Sequence, residues 1–251
     1  MVTLVVGLAL LSGCTQIDQP INSESTGIWN KWFVYPMSLM ITFFADLFTS
    51  GEEIGYGLAI VVVTIIIRLI LVPLNVKQLK SSKAMQDIQP ELKEIQKKYS
   101  SKDAKTQQKL QQETMALFQK HGVNPLAGCL PIFIQMPVMI AMYHAIMRTP
   151  GVKDANFLWF HLGHSDYILP LIAGAATYLQ QKLMMSGNAS AQNPQMQIML
   201  YVMPLFITVI GMFFPSALAL YWVVGNVFMV AQTLFIRKPM MKTADTGGDK
   251  K

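Results

Sequence analysis

Five stretches of this chain, 55–76, 126–147, 167–185, 196–214 and 217–236, are nearly uncharged and about 20 residues long, the length an α-helix needs to cross ~30 Å of hydrocarbon. In lipid no water is available to pair backbone amides, so such stretches can cross only as helices that satisfy their own hydrogen bonds. Composition agrees: 52% of the residues are apolar and only 14% charged, too few charges for an ordinary soluble domain. The last two stretches are separated by Pro215 and Ser216 alone, which requires a tight reversal and an antiparallel hairpin. The expected fold class is an all-α integral membrane protein with five transmembrane helices, a cytoplasmic helical hairpin and an external amphipathic helix.

The first 13 residues read as a signal peptide. A short apolar stretch runs into Leu11-Ser12-Gly13-Cys14, a small-residue cleavage pattern of the bacterial lipobox kind, although no basic residue precedes Leu4. Cleavage before Cys14 would leave its thiol to carry a diacylglyceryl group. The other cysteine, Cys129, lies in an apolar segment, so no disulfide is expected.

With Cys14 outside, each loop is assigned a side, and the basic residues test the assignment. Ten lysines from Lys77 to Lys120 fall in the first cytoplasmic segment, Arg237, Lys238, Lys242, Lys250 and Lys251 lie at the inner C-terminal end, and Lys182 sits at an inner membrane end; only Lys31, Arg148 and Lys153 fall outside. This is a strong positive-inside bias. Residues 14–54 are then an external lipid-anchored segment. Within it, WNKWFVYPMSLMITFFADLF carries interfacial aromatics but is interrupted by Pro36, and reads as a surface helix from about Met37. Counting it as a sixth span would invert every later loop.

Residues 77–124 read as the cytoplasmic hairpin. Ile88, Leu92, Ile95 and Tyr99 recur at helical spacing, Ser100 to Asp103 offers a turn with Asp103 as N-cap, and a second helix carries Leu110, Leu117 and Phe118 before Gly122. Pro90 should kink the first helix or mark its start. The tail, 239–251, is expected in the cytoplasm.

One charge stands inside a span: VVVTIIIRLILVPL contains Arg68, and none of the five stretches holds an Asp or Glu to pair it. An arginine at the bilayer centre costs about 2.5–3.5 kcal/mol on insertion scales, so an unpaired one calls for hydration by the protein itself. Uncharged polar groups are available: Thr64 one turn before Arg68, Gln135, Thr177, Tyr178, Gln180, Gln181, Tyr221, Trp222, Asn226 and Gln232. They could line a water-holding cavity open to the cytoplasm, in which an unpaired cation attracts anions. No nucleophile with an adjacent base and no GxxxxGKS/T loop occurs. His161 and His164 in HLGH have no further candidate ligands nearby, and His144 sits at a span end. The protein is therefore expected not to be an enzyme, and to use no metal or cofactor.

RLILVPL followed by KQLKSSKAMQDIQPELKEIQKKY, then NPLAGCLPIFIQMPVMIAMYHAI, then FFPSALALYWVVGNVFMVAQ resemble the signature segments of the YidC/Oxa family of membrane protein insertases, over about residues 35–238. The lipobox and the short external region resemble the Gram-positive, lipoprotein-type branch. The resemblance implies a five-span core with a hydrophilic groove open to cytoplasm and lipid but closed outside. It gives Arg68 the role of attracting the acidic tail of a substrate, and puts Gln181, with Gln180 as competitor, and Trp222 in the groove; Thr64 and Asn226 join them by helical facing. Implied partners are nascent membrane proteins and membrane lipids, with the ribosome and the general secretion channel as further candidates. No nucleic-acid binding is expected, and the short tail departs from members with long ribosome-binding extensions. A polytopic channel or transporter is the alternative reading, disfavoured by the lack of midplane carboxylates and internal repeats.

Overall fold

In a computed structural model of the chain, the residues described are 17, 19–48, 54–101, 103–124, 130–185, 194–237 and 239. Cys14, the lipidation candidate, and Cys129 lie outside the described residues, as does the tail from 240 onward.

Helix α1 spans Tyr35–Phe48 and is preceded by a π-helical turn, Asn30–Val34. The sequence suggests a start near Met37 because Pro36 should interrupt a helix; the helical path instead runs through it. A proline clashes with the carbonyl four residues back and cannot donate to it. The π turn adds a residue just upstream, with the Tyr35 amide bonded to the Asn30 carbonyl, and so relieves that clash. Helix α1 buries Met37, Ser38, Ile41 and Ala45 and exposes Leu39, Phe43 and Leu47, apolar on both faces, as suits a helix between protein and lipid.

Helix α2 runs unbroken over Ile54–Asp87. The sequence reading ends the first span at Val76, where apolar residues give way to Lys and Gln. These are good helix formers, so polarity changes there without a helix stop. At ~1.5 Å per residue its 34 residues reach about 50 Å, well beyond a ~30 Å hydrocarbon core. Pro73 removes one backbone bond on an exposed face and does not end it.

Two shorter helices follow, α3 (Gln89–Lys98), with Pro90 in its first turn, and α4 (Ala104–Lys120). Asp103 caps α4: its carboxylate accepts from the Ser101 hydroxyl and, at 2.9 Å, from the Thr106 amide. Those two bonds, the Ser101 one foremost, hold its carboxyl down at about 2, so the cap is charged at neutral pH. Gly122, at φ 63°, supplies the left-handed turn after α4. The pair encloses a small core of Ile88, Leu117 and Val123, with Leu92, Ile95 and Phe118 half-buried around it. Across its open end Glu91 meets His121 Nε2 at 3.1 Å and Lys120 Nζ at 3.4 Å. The His121 bond, then Lys120, pushes the Glu91 carboxyl below its ordinary range. Exposed pairs of this kind add little stability, so the thin apolar core does most of the holding.

The remaining helices are α5 (Leu130–Arg148), α6 (Ile168–Met185), α7 (Pro194–Gly211) and α8 (Ser216–Gln232), which continues as a π turn over Thr233–Arg237. Between α5 and α6 a minimal hairpin pairs β1 (Asn156–Phe157) with β2 (Phe160–His161), Phe157 opposite Phe160. The loop after β2 closes over α8: the carbonyls of His164 and Leu162 accept from the Ser216 and Ala217 amides, two of the donors a helix start leaves unpaired.

Helix α6 lies between α7 and α8 and packs on both, while α7 and α8, adjacent in sequence, scarcely touch. The reversal at Pro215 is tight as expected, but the hairpin is held by a third helix. At Gly174 of α6 a methyl would strike the Thr208 hydroxyl and lie 3.1 Å from the Pro204 carbonyl of α7, so the close approach depends on the missing Cβ. Helix α2 packs on α1 and α8, and α5 touches α1, α2 and α8. The main core, with Val34, Ile41, Ile60, Val63, Met142, Ile146, Leu218 and Tyr221, fills the junction of these four. Two of the helices, over Ile54–Met85 and Ser216–Arg237, are long and apolar enough to cross a membrane, and Gln197–Gly211 is a shorter apolar helix. Helix α7 turns Ile198, Tyr201, Val202, Leu205, Phe206 and Val209 outward, an apolar surface that water would not stabilise.

Candidate functional site

Arg68 sits on the face of α2 that packs against α8 and is only 9% exposed. Its guanidinium rests beside Gly225, and among the described residues no carboxylate pairs with it; its Nε is buried without a hydrogen-bond partner. The charge deficit read from the sequence thus persists in three dimensions.

Side chains around it form two stripes on α8. The first is Tyr221, Gly225 and Gln232, all buried and toward α2 and α5. Tyr221 accepts from Gln135 Nε2 of α5 at 2.6 Å, which leaves its own hydroxyl proton available to donate. Seven residues beyond the Arg68–Gly225 contact on both helices, Asn75 Nδ2 of α2 donates to Gln232 Oε1 at 3.4 Å. Equal spacing in the same direction means that α2 and α8 run parallel in a fixed register. The second stripe, Trp222 and Asn226, is half-buried. Asn226 Nδ2 donates to Thr177 Oγ1 of α6 at 2.8 Å, and Trp222 packs against the main core.

Each residue expected from the sequence can now be located. Gln181 lies one turn after Thr177 on α6, the side that faces α8; Gln180 is beside it, and both are half-buried. Thr64 is fully buried and its hydroxyl donates to the Ile60 carbonyl of its own helix at 2.6 Å, which leaves only a lone pair for anything else. Asn226 is likewise engaged between helices. The sequence offers Gln135, Tyr221 and Gln232 only as polar groups able to line a cavity; their pairing, and Gly225 and Asn75 beside them, come from the structure. On α2 the seven-residue spacing of Arg68 and Asn75, two polar residues on one face, is the sequence signal for the Asn75–Gln232 pair. Near the same end of the bundle Gln78 Nε2 is buried without a partner, and Arg237 donates to the Leu183 carbonyl, tying the end of α8 to the end of α6.

A second buried arginine, by contrast, has hydrogen-bond partners. Arg148, 3% exposed at the end of α5, donates from Nε to the Gln19 carbonyl and from Nη1 to Asn30 Oδ1, each at 2.8 Å, and its own carbonyl accepts from the Ile21 amide. Beside it the Ser38 and Thr149 hydroxyls are 2.7 Å apart. Gln19 and Ile21 are thereby fastened to the helix bundle. His161 and His164 lie with their ring centroids 4.4 Å apart and their planes tilted by 42°; among the described residues no group of three or more His, Cys, Asp or Glu could hold a metal ion.

Apolar helices with outward-facing aliphatic and aromatic side chains, enclosing an arginine that no described carboxylate pairs, together with amide side chains, define a helical membrane protein. Residues 50–244 match the family model described as 60Kd inner membrane protein, and the chain belongs to that family. It is 65% identical to a membrane protein insertase YidC of Oceanobacillus iheyensis over 96% of both chains. It is 57% identical to the membrane protein insertase MisCA of Bacillus subtilis, over 100% of this chain and 97% of that one. Among solved structures, a crystal structure of an active YidC insertase with its first transmembrane domain resolved is similar at a TM-score of 0.62 and 27% identity. The match covers 82% of this chain and 47% of that one, so this chain spans about half the length of that molecule.

Proposed function

We propose that this protein is a bacterial membrane protein insertase and chaperone that integrates nascent proteins through a hydrophilic groove built around Arg68. The observation that carries the reading is the buried guanidinium with no partner among the described residues, flanked by polar side chains from α2, α5, α6 and α8. Its similarity to proteins named as insertases supports the same activity.

In this reading α2, α5, α6, α7 and α8 are five spans with the N-terminus outside and the C-terminus in the cytoplasm. Helix α1 lies on the outer surface, the α3–α4 pair faces the cytoplasm, and a diacylglyceryl group on Cys14 anchors the external segment. Gln181, Trp222, Asn226 and Thr64 line or frame the groove with Arg68. A nascent span arrives with its polar tail first; the groove shortens the apolar path and Arg68 transiently pairs the tail's carboxylates. The apolar segment then partitions sideways into lipid, driven by burial of ~20 apolar residues. The step needs no nucleotide. Lipid and nascent chains are the necessary partners; the ribosome and the secretion channel are further candidates through the basic α3–α4 surface.

Reconstitution tests this reading. In proteoliposomes holding this protein alone, a single-span substrate with an acidic tail should insert and become protected from added protease, severalfold above protein-free vesicles, without measurable ion flux. Ion flux with no gain in insertion would favour the channel reading.

A further inference from the structure

We infer that Gly225 is a positioning residue for Arg68: its missing side chain holds open the space in which the guanidinium is aimed at the substrate. The inference rests on the proposed counter-ion role of Arg68 and adds what sets that charge in place. A Cβ built at Gly225 would stand 2.5 Å from Arg68 Nη2, 3.1 Å from Nε and 3.2 Å from Cζ, inside van der Waals contact with these three guanidinium atoms. Relief by moving the helices is obstructed on both sides. One turn earlier Tyr221 is 1% exposed and bonded to Gln135, and seven residues later Gln232 is bonded to Asn75. The guanidinium is the far end of a flexible chain and yields most readily, so a methyl at 225 displaces the charge and leaves the bundle assembled. Displacement by an ångström suffices to spoil an electrostatic contact that depends on aim.

The test compares acidic-tailed and neutral-tailed single-span substrates in proteoliposomes for wild type, Gly225→Ala, Arg68→Ala, Gly225→Ala with Arg68→Ala, and Gly225→Ala with Arg68→Lys. The ratio of acidic-tailed to neutral-tailed insertion should fall about tenfold in Gly225→Ala, the change that losing about 1.4 kcal/mol of attraction produces. It should fall no further when Gly225→Ala is added to Arg68→Ala. Lysine at 68, whose ammonium is narrower than the guanidinium plane, should restore the ratio in the Gly225→Ala background. A wild-type ratio in Gly225→Ala, or a loss that persists unchanged in the Arg68→Ala background, overturns the positioning role while leaving the counter-ion reading intact. An unchanged ratio in Arg68→Ala alone overturns both.

Discussion

Replacing Arg68 with alanine should lower insertion of an acidic-tailed substrate by ten- to a hundredfold, while Arg68→Lys keeps most of it, at matched protein levels in an in vivo or reconstituted insertion assay. Two unit charges 4 Å apart at an effective dielectric of 20 attract by about 4 kcal/mol, and desolvation offsets part of this. A net loss of about 1.4–2.8 kcal/mol corresponds to the expected range. Lysine retains the charge but loses the bidentate fork. Thermal stability should change little in Arg68→Ala, because relief of a buried charge whose Nε has no partner offsets the packing lost with its stem. Equal insertion by both variants would remove charge attraction from the mechanism.

Arg148→Ala should behave in the opposite way, losing stability without discriminating between substrate tails. This arginine is buried and hydrogen-bonded to Gln19 and Asn30, and Asn30 in turn donates to the Thr26 carbonyl. Hydrogen bonds to charged groups contribute about 1.5–3 kcal/mol, and truncation would remove the two that Arg148 donates. At roughly 2–4 °C per kcal/mol for a chain of this size, the unfolding midpoint in detergent should drop by about 4–10 °C. The N-terminal segment from Gln19 to Thr26 should become cleavable by added protease. An unchanged midpoint would mean that this network is dispensable.

The contrast between the two arginines explains what could be seen in the sequence. An intramembrane cation and an inventory without carboxylates are properties of one dimension, so Arg68 stood out at once. Arg148 looked like an ordinary loop charge, since its partners lie 118 and 129 residues away. The helix path through Pro36 was hidden for a different reason: a π turn is chosen by packing and leaves no composition mark. The run of α2 past Val76 was obscured because membrane polarity, which the sequence shows, and helix continuity, which it shows less well, part company there. Asp103 as the α4 cap and Pro90 in the first turn of α3 were legible because capping is local. Gly225 was not, because an empty volume beside a residue 157 positions earlier becomes visible only when both helices are placed.

Site-specific photocrosslinking from position 222 tests the central claim most directly. Trp222 is half-buried one turn before Asn226 on α8, whereas Leu205 of α7, 64% exposed, points outward among apolar side chains. With a photoreactive residue at each position in turn and a stalled acidic-tailed nascent chain, the account predicts adducts from 222 to the tail early in insertion. At that stage it predicts few from 205, and it predicts loss of the 222 adduct in Arg68→Ala. Tail adducts from 205 in place of 222, indifferent to Arg68, would contradict it.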